Sequence, residues 1–224
     1  MIQALKKRVY GPILQTWCKI YFRKPRKYQY EDIKGVVLPS VFFPHFTVST
    51  SLLIDYIKNQ DLLDKEVLEL GCGTGLVSVA AAKRGANVLA TDINLKALEN
   101  VQINAGKNGV TIEVLESNLF QNLENRKFDY IIINPPYYPK QAQNIADTAW
   151  YCGESFEYFQ QLFSQIGNSL LPDTEAIMIL SEDCEVGKII DIAISERLVC
   201  RELYRIRRKG EINIIFKITN RPEF

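Results

Sequence analysis

Two short stretches and one isolated acid hold the residue types from which a reaction centre can be built. The first stretch, Glu69-Leu70-Gly71-Cys72-Gly73-Thr74-Gly75, sits where an apolar run gives way to a helical pattern. Glycines at such a turn let the backbone approach a ligand that Cβ atoms would exclude, and a nucleotide-like cofactor is the natural occupant. Asp92 stands at the end of the next apolar run, where a carboxylate can accept two hydrogen bonds from ribose hydroxyls. The second stretch is Ile131-Ile132-Ile133-Asn134-Pro135-Pro136-Tyr137. Two consecutive prolines remove two N–H donors and fix φ, which leaves a stiff turn with outward carbonyls. The Asn134 side-chain oxygen and the Pro135 carbonyl could then accept both hydrogens of one substrate NH2 group, and Tyr137 could stack on the planar group that bears it.

Other glycine-loop chemistries fit less well. A dinucleotide fingerprint would place its third glycine at position 76, which is Leu76, and no Gly-Lys-Ser/Thr follows for a phosphate-cradling loop. The elements that must position these residues are legible in the hydropathy. Apolar runs at 67–70, 88–91, 112–115, 130–133 and 176–180 read as buried strands, with helical patterns near 76–83, 95–107, 156–171 and 185–196 between them. Two further strand-like runs, 198–207 and 212–218, meet at Lys209-Gly210, a hairpin signal. The expected fold is α/β: a doubly wound, seven-stranded, mostly parallel sheet closed by an antiparallel C-terminal strand, with the chemistry at the carboxyl ends of the strands.

The chain has 224 residues, 47% hydrophobic and 24% charged, enough to bury the core of one large domain and too ordinary in composition for disorder or a fibrous rod. No apolar stretch is long enough to span a bilayer, and a cytoplasmic location is expected. The five cysteines (Cys18, Cys72, Cys152, Cys184, Cys200) contain no Cys-x-x-Cys pair, so reduced thiols are expected rather than disulfides or a metal site. Net charge is +1, but residues 1–34 hold nine basic and two acidic side chains, +7, while the rest carry 18 against 24, −6. Residues 1–34 therefore read as a basic helical extension in front of a domain at 35–224, with an amphipathic helix over 2–22 and a linker around 24–34. Tyr21, Tyr28 and Tyr30 interleave with Arg23, Lys24, Arg26 and Lys27, a pattern that can grip phosphates and stack on bases. A second basic cluster, Arg201, Arg205, Arg207, Arg208 and Lys209, leans the same way, toward structured RNA or a ribosomal protein.

Taken together, the Glu-x-Gly-x-Gly-x-Gly loop and Asp92 resemble the class I S-adenosylmethionine-dependent methyltransferases. The resemblance implies S-adenosyl-L-methionine as cofactor and S-adenosyl-L-homocysteine as product, with Glu69, Gly71, Gly73 and Gly75 in the cofactor loop, Asp92 on the ribose and Asn118 near the adenine amino group. At Asn118-Leu119-Phe120 related enzymes often carry Asp in the first position. Asn134-Pro135-Pro136-Tyr137 resembles the signature of the members that methylate planar nitrogens, namely protein glutamine amides, adenine N6 and guanine N2. That implies Asn134, Pro135 and Tyr137 as catalytic residues. The stretch from Phe42-Phe43-Pro44 to Ser49-Thr50-Ser51 is similar to the approach segment of the glutamine methyltransferases, where a hydroxyl residue, here Thr50, covers the cofactor; Thr50 also suits a helix N-cap. The implied partner is a protein or RNA substrate: a ribosomal protein, a translation factor or structured RNA. His45 reads as a rim or structural residue, and Trp150 and Tyr151 as candidates for the substrate entrance or for helix packing. Two rivals remain at this level: a cofactor-binding scaffold without turnover, and a nucleotide-dependent oxidoreductase, which Leu76 disfavours.

Overall fold

The structure, a computed structural model, describes residues 23–44, 47–123 and 126–222. The expected helix over 2–22, Cys18 and His45 lie outside the described residues. Seven strands form the central sheet: β3 (Glu66–Leu70), β4 (Asn87–Asp92), β5 (Glu113–Glu116), β6 (Tyr130–Ile133), β7 (Glu175–Ser181), β8 (Leu198–Arg208) and β9 (Glu211–Asn220). Their order across the sheet is β5-β4-β3-β6-β7-β9-β8. All neighbours are parallel except β9, which is antiparallel to both β7 and β8. The chain winds outward from β3 to one edge, returns to pair β6 with β3, and winds out the other way. This reversal opens a crevice beyond the carboxyl ends of β3 and β6.

The parallel strands are near-continuous apolar runs because both faces are covered. Val67, Val88, Ala90 and Ile132 face one core with helices α1 (Ser49–Lys58), α2 (Leu76–Ala82) and α3 (Leu95–Asn108). Leu68, Leu70, Leu89, Ile131 and Ile133 face the other with α4 (Glu157–Ile166) and α5 (Val186–Ser195). Phe159, Leu162 and Ile166, fully buried on one face of α4, fix that helix against the sheet, each contributing about 2 kcal/mol of apolar burial. The helix expected to run to residue 171 stops at Ile166 and tightens into a 3-10 turn, Gly167–Ser169. Lys209 and Gly210 both take positive φ, 50° and 84°, and turn β8 into β9 as a two-residue hairpin.

One expectation is overturned. The basic stretch around 24–34 is not a linker: Arg26–Tyr30 (β1) and Ile33–Val37 (β2) form an antiparallel hairpin packed on the domain, with Tyr28 and Ile33 buried. The open edge of β2 is satisfied by a ladder of amides on α3. Asn104 Oδ1 accepts the Val36 N–H at 2.7 Å while its Nδ2 donates to the Val36 carbonyl at 3.0 Å and the Thr74 carbonyl at 2.9 Å. Asn100 does the same for the Leu38 N–H and Val36 carbonyl, and Asn108 for Lys34. Asparagines four residues apart share one helix face, so α3 serves β2 as a neighbouring strand would. Of the tyrosines that suggested base stacking, Tyr21 lies outside the described residues, Tyr28 is in the core and Tyr30 donates to Asp55 Oδ1 at 2.7 Å.

Candidate active site

The glycine loop leaves β3 and turns back at once. The Cys72 N–H donates to the Thr91 carbonyl at 2.9 Å and the Gly75 N–H to the Cys72 carbonyl at 2.8 Å. Gly71, Gly73 and Gly75 all have positive φ (68°, 51° and 67°), a region that side chains with a Cβ enter at a cost. They differ in what they face. Gly71 and Gly73 line the cleft, whereas Gly75 does not; a Cβ there would stand 2.6 Å from Val101 Cγ2, so this glycine lets α2 close onto α3.

Asp92 ties this wall together. Its Oδ2 accepts the Gly73 N–H at 2.9 Å and its Oδ1 the Asn94 N–H at 2.9 Å. Burial raises its pKa, opposed by those backbone hydrogen bonds. Glu69, 6% exposed, accepts from the Ser78 N–H at 2.8 Å and from the Ser78 hydroxyl, anchoring the start of α2. Burial pushes its carboxyl up to about 7 against those two hydrogen bonds. Thr50 is not the N-cap of α1, because Val48 occupies that place and makes no side-chain cap; Thr50 lies in the first helical turn, 5% exposed, and lines the cleft beside Ser49. The residues after β5 make a tight turn in which the Ser117 hydroxyl donates to the Leu119 carbonyl at 2.8 Å and Leu119 takes φ 52°, and Asn118 from this turn lines the cleft.

Asn134, Pro135, Pro136 and Tyr137 follow β6 directly and form the facing wall. Among the described residues the Asn134 side chain has no protein partner. Tyr137 packs against Tyr138, ring centroids 4.9 Å apart, and Tyr138 is held in turn by its N–H to the Trp150 carbonyl and its carbonyl to the Cys152 N–H. Burial lifts the Tyr137 phenol well above its ordinary pKa, so the hydroxyl is neutral at any working pH. The structure thus brings Thr50, Glu69, Gly71, Gly73, Asp92, Asn118, Asn134, Pro135 and Tyr137 around one cleft of about 360 Å³ and leaves Gly75 behind it.

Trp150 and Tyr151 do line the cleft, and Trp150 meets Phe42 at 4.8 Å between centroids, joining the approach segment to the loop after Tyr138. Phe42 of the approach segment lines it too, as do Ser117, Tyr158 and Gln161, which no sequence motif announces. No Lys or Arg stands among the described lining residues. Two of the five residues of the second basic cluster are engaged by neighbours, while Arg201, Arg207 and Lys209 are exposed. Arg205 pairs with Glu182 at 2.7 Å and with Glu202 at 2.8 Å, and Arg208 with Asp55 at 2.7 Å while donating to Tyr30 and Ser51. Among the described residues no helix is long and apolar enough to cross a membrane.

Comparison with known proteins agrees with this geometry. A Methanocaldococcus jannaschii protein named provisionally as a protein N5-glutamine methyltransferase is 42% identical over 120 residues, 53% of this chain and 58% of that one. The ribosomal RNA small subunit methyltransferase C of Haemophilus influenzae is 30% identical over 174 residues, 72% of this chain and 50% of that one. The chain therefore spans little more than half the length of these relatives. The solved structure of a ribosomal protein L11 methylase from Lactobacillus delbrueckii subsp. bulgaricus superposes with a TM-score of 0.60 at 23% identity, covering 83% of this chain and 84% of that one, which shows a shared fold. The model of the methyltransferase small domain matches residues 36–152, from the end of the β1–β2 hairpin through the glycine loop, Asp92 and Asn134 to the far wall of the cleft; over more than half its length, then, the chain belongs to the methyltransferase small domain family.

Proposed function

We propose that the chain is an S-adenosylmethionine-dependent N-methyltransferase acting on a planar nitrogen, a protein glutamine amide or a nucleobase amino group, in the cytoplasm. One observation carries this reading: an amide without a protein partner, Asn134, set between a buried strand and two prolines in the same cleft as a glycine loop and its acid. The residues present suit S-adenosylmethionine. With no Lys or Arg on the described lining, a sulfonium cation meets no like charge, and the Asp92 carboxylate, with about four lone-pair sites, keeps acceptor capacity beyond the backbone N–H groups it holds.

When bound, the cofactor supplies an electrophilic methyl group. The rest falls to the chain. Gly71 and Gly73 leave room beside the loop, Asp92 would accept from the ribose hydroxyls, Thr50 would cover the cofactor and Asn118 would meet the adenine amino group. The nitrogen of an amide or aromatic amine is a poor nucleophile because its lone pair is delocalised. The Asn134 oxygen and the Pro135 carbonyl, accepting its two hydrogens, favour the pyramidal, partly positive nitrogen that develops during transfer. Such fixed dipoles stabilise the transition state more than the ground state. Tyr137 stacks on the planar group and holds it in line. No general base is needed, since the alkylated nitrogen is acidic enough to lose its proton to water.

Between the two substrates, a protein glutamine amide has the better support. Of the features that pointed to RNA, Tyr28, Tyr30, Arg205 and Arg208 have partners within the described fold while Arg201, Arg207 and Lys209 stay exposed, and the M. jannaschii relative carries a glutamine methyltransferase name. Calorimetric titration with S-adenosylhomocysteine on wild type and Asp92→Ala, followed by transfer of labelled methyl groups into fractionated protein and RNA, tests the proposal. Micromolar binding lost in the variant and label in protein are expected. No binding by wild type would overturn the methyltransferase reading, binding without label would favour a scaffold, and label in RNA alone would reverse the choice of substrate.

A further inference from the structure

Helix α4 brings a second set of polar groups to the cleft that no motif marks. Tyr158 and Gln161, three residues apart and thus on the same helix face, both line it. The helix is held against the turn that carries Asn118, because the Phe120 N–H donates to Gln165 Oε1 at 3.2 Å, and its first turn is held by the Tyr158 N–H donating to the Cys152 carbonyl at 3.0 Å. The Tyr158 ring is set edge-on against Phe159 at 5.4 Å, yet among the described residues its hydroxyl has no hydrogen-bond partner. Burial keeps the phenol protonated, and the charge on Asp92 is near enough to raise its pKa further.

The charged groups on the described lining, Glu69, Asp92 and Glu157, are acids and can only accept when ionised. A purine nucleoside also presents acceptors, its ring nitrogens and ribose oxygen, and with no Lys or Arg on the described lining a donor for them must come from a hydroxyl or an amide. We propose that Tyr158 and Gln161 form a recognition face for the adenosine half of the cofactor, together with Asp92 and Asn118, with the Tyr158 O–H as donor and the Gln161 amide as a donor–acceptor pair for the purine edge. This rests on the S-adenosylmethionine reading above. It assigns to α4, an element otherwise explained by core packing, a part in choosing the cofactor.

The full chain, as wild type, Tyr158→Phe and Gln161→Ala, is titrated calorimetrically with S-adenosylhomocysteine and with 5′-methylthioadenosine, which lacks the amino-acid half, and the ligand-free unfolding midpoints are compared. Tyr158→Phe is expected to weaken both ligands by the same factor, about tenfold, or about 1.4 kcal/mol. Its unfolding midpoint should not move, because the deleted hydroxyl bonds to none of the described residues. Gln161→Ala is expected to weaken both about threefold. Unchanged affinities in both variants would overturn the inference, as would loss of S-adenosylhomocysteine with methylthioadenosine unaffected, which would put the groups at the amino-acid end. Failure of the wild type to bind S-adenosylhomocysteine is a separate outcome that removes the cofactor reading itself.

Discussion

The two walls of the cleft are built on opposite plans. On the glycine-loop side the acids are committed: Asp92 holds the N–H groups of Gly73 and Asn94, and Glu69 holds Ser78. On the facing side, among the described residues, the side chains of Asn134 and Gln161 and the Tyr158 hydroxyl have no partner. A buried acid without partners would protonate or distort the turn, so the loop wall is completed by the fold before any ligand arrives. Neutral amides and hydroxyls at a cleft surface can wait for one at small cost. In the proposed function, the difference separates groups that make the cradle from groups that would read and activate what lies in it.

Asn134→Ala tests the facing wall most severely. Removing one preorganised acceptor should lower the rate of methyl transfer by about 10²–10³-fold, as for other oriented dipoles in catalysis, with S-adenosylhomocysteine affinity nearly unchanged. A matching loss of affinity would show that the two walls do not divide the work. On the cradle side, Asn104→Ala deletes the bonds to Val36 and Thr74 that dock both the hairpin and the loop, and should cost about 3 kcal/mol in a denaturant titration. A loss under 1 kcal/mol would mean that the ladder decorates a hairpin held by its apolar side chains.

Glu69 sharpens the comparison through pH. Its folded carboxyl titrates at about 7 against an ordinary 4.5, so between these values the folded state binds more protons than the unfolded one. Stability from this group is full below about pH 4.5 and is lost as pH rises through about 7. Glu69→Gln, which keeps the acceptor for Ser78, should flatten that decline, a difference on the order of 3 kcal/mol across the window. Parallel stability curves for the two proteins would show that this carboxyl does not titrate there. The smallest effect belongs to Arg208, whose partly exposed ties to Asp55, Tyr30 and Ser51 join β8 to the hairpin and α1; Arg208→Met should lower stability by about 1 kcal/mol and leave methyl transfer intact. A large fall in activity would instead reveal coupling through Ser51 to the neighbouring Thr50.

Much of the site was legible in the chain because its residues stand at ends of elements that local pattern defines. Glu69 through Gly73, Asp92 and Asn134 each follow an apolar run, and parallel pairing of β3 with β4 and β6 brings those ends together. Gly75 shows the limit of the motif: the spacing groups it with Gly71 and Gly73, but its constraint comes from Val101, on another helix. Tyr158 had no signal at all, since its helix reads as a core element and only the fold turns that face to the cleft.

What the amino-acid sequence determined by itself, then, was the alternation of strands and helices, the turns where glycine and proline restrict the backbone, and the residues standing at those turns. All of these follow from periodicity and dihedral preference within a few residues. What only the tertiary structure decided was which polar groups are spent. Residues 26–37 are a hairpin rather than a linker because asparagines some 70 positions away complete its edge, and Arg205 and Arg208 are tied to acids from two distant parts of the chain, Glu182 and Asp55. A charge or an amide has no intrinsic preference among distant partners; long-range packing assigns them, and leaves Asn134 free of any in the described fold.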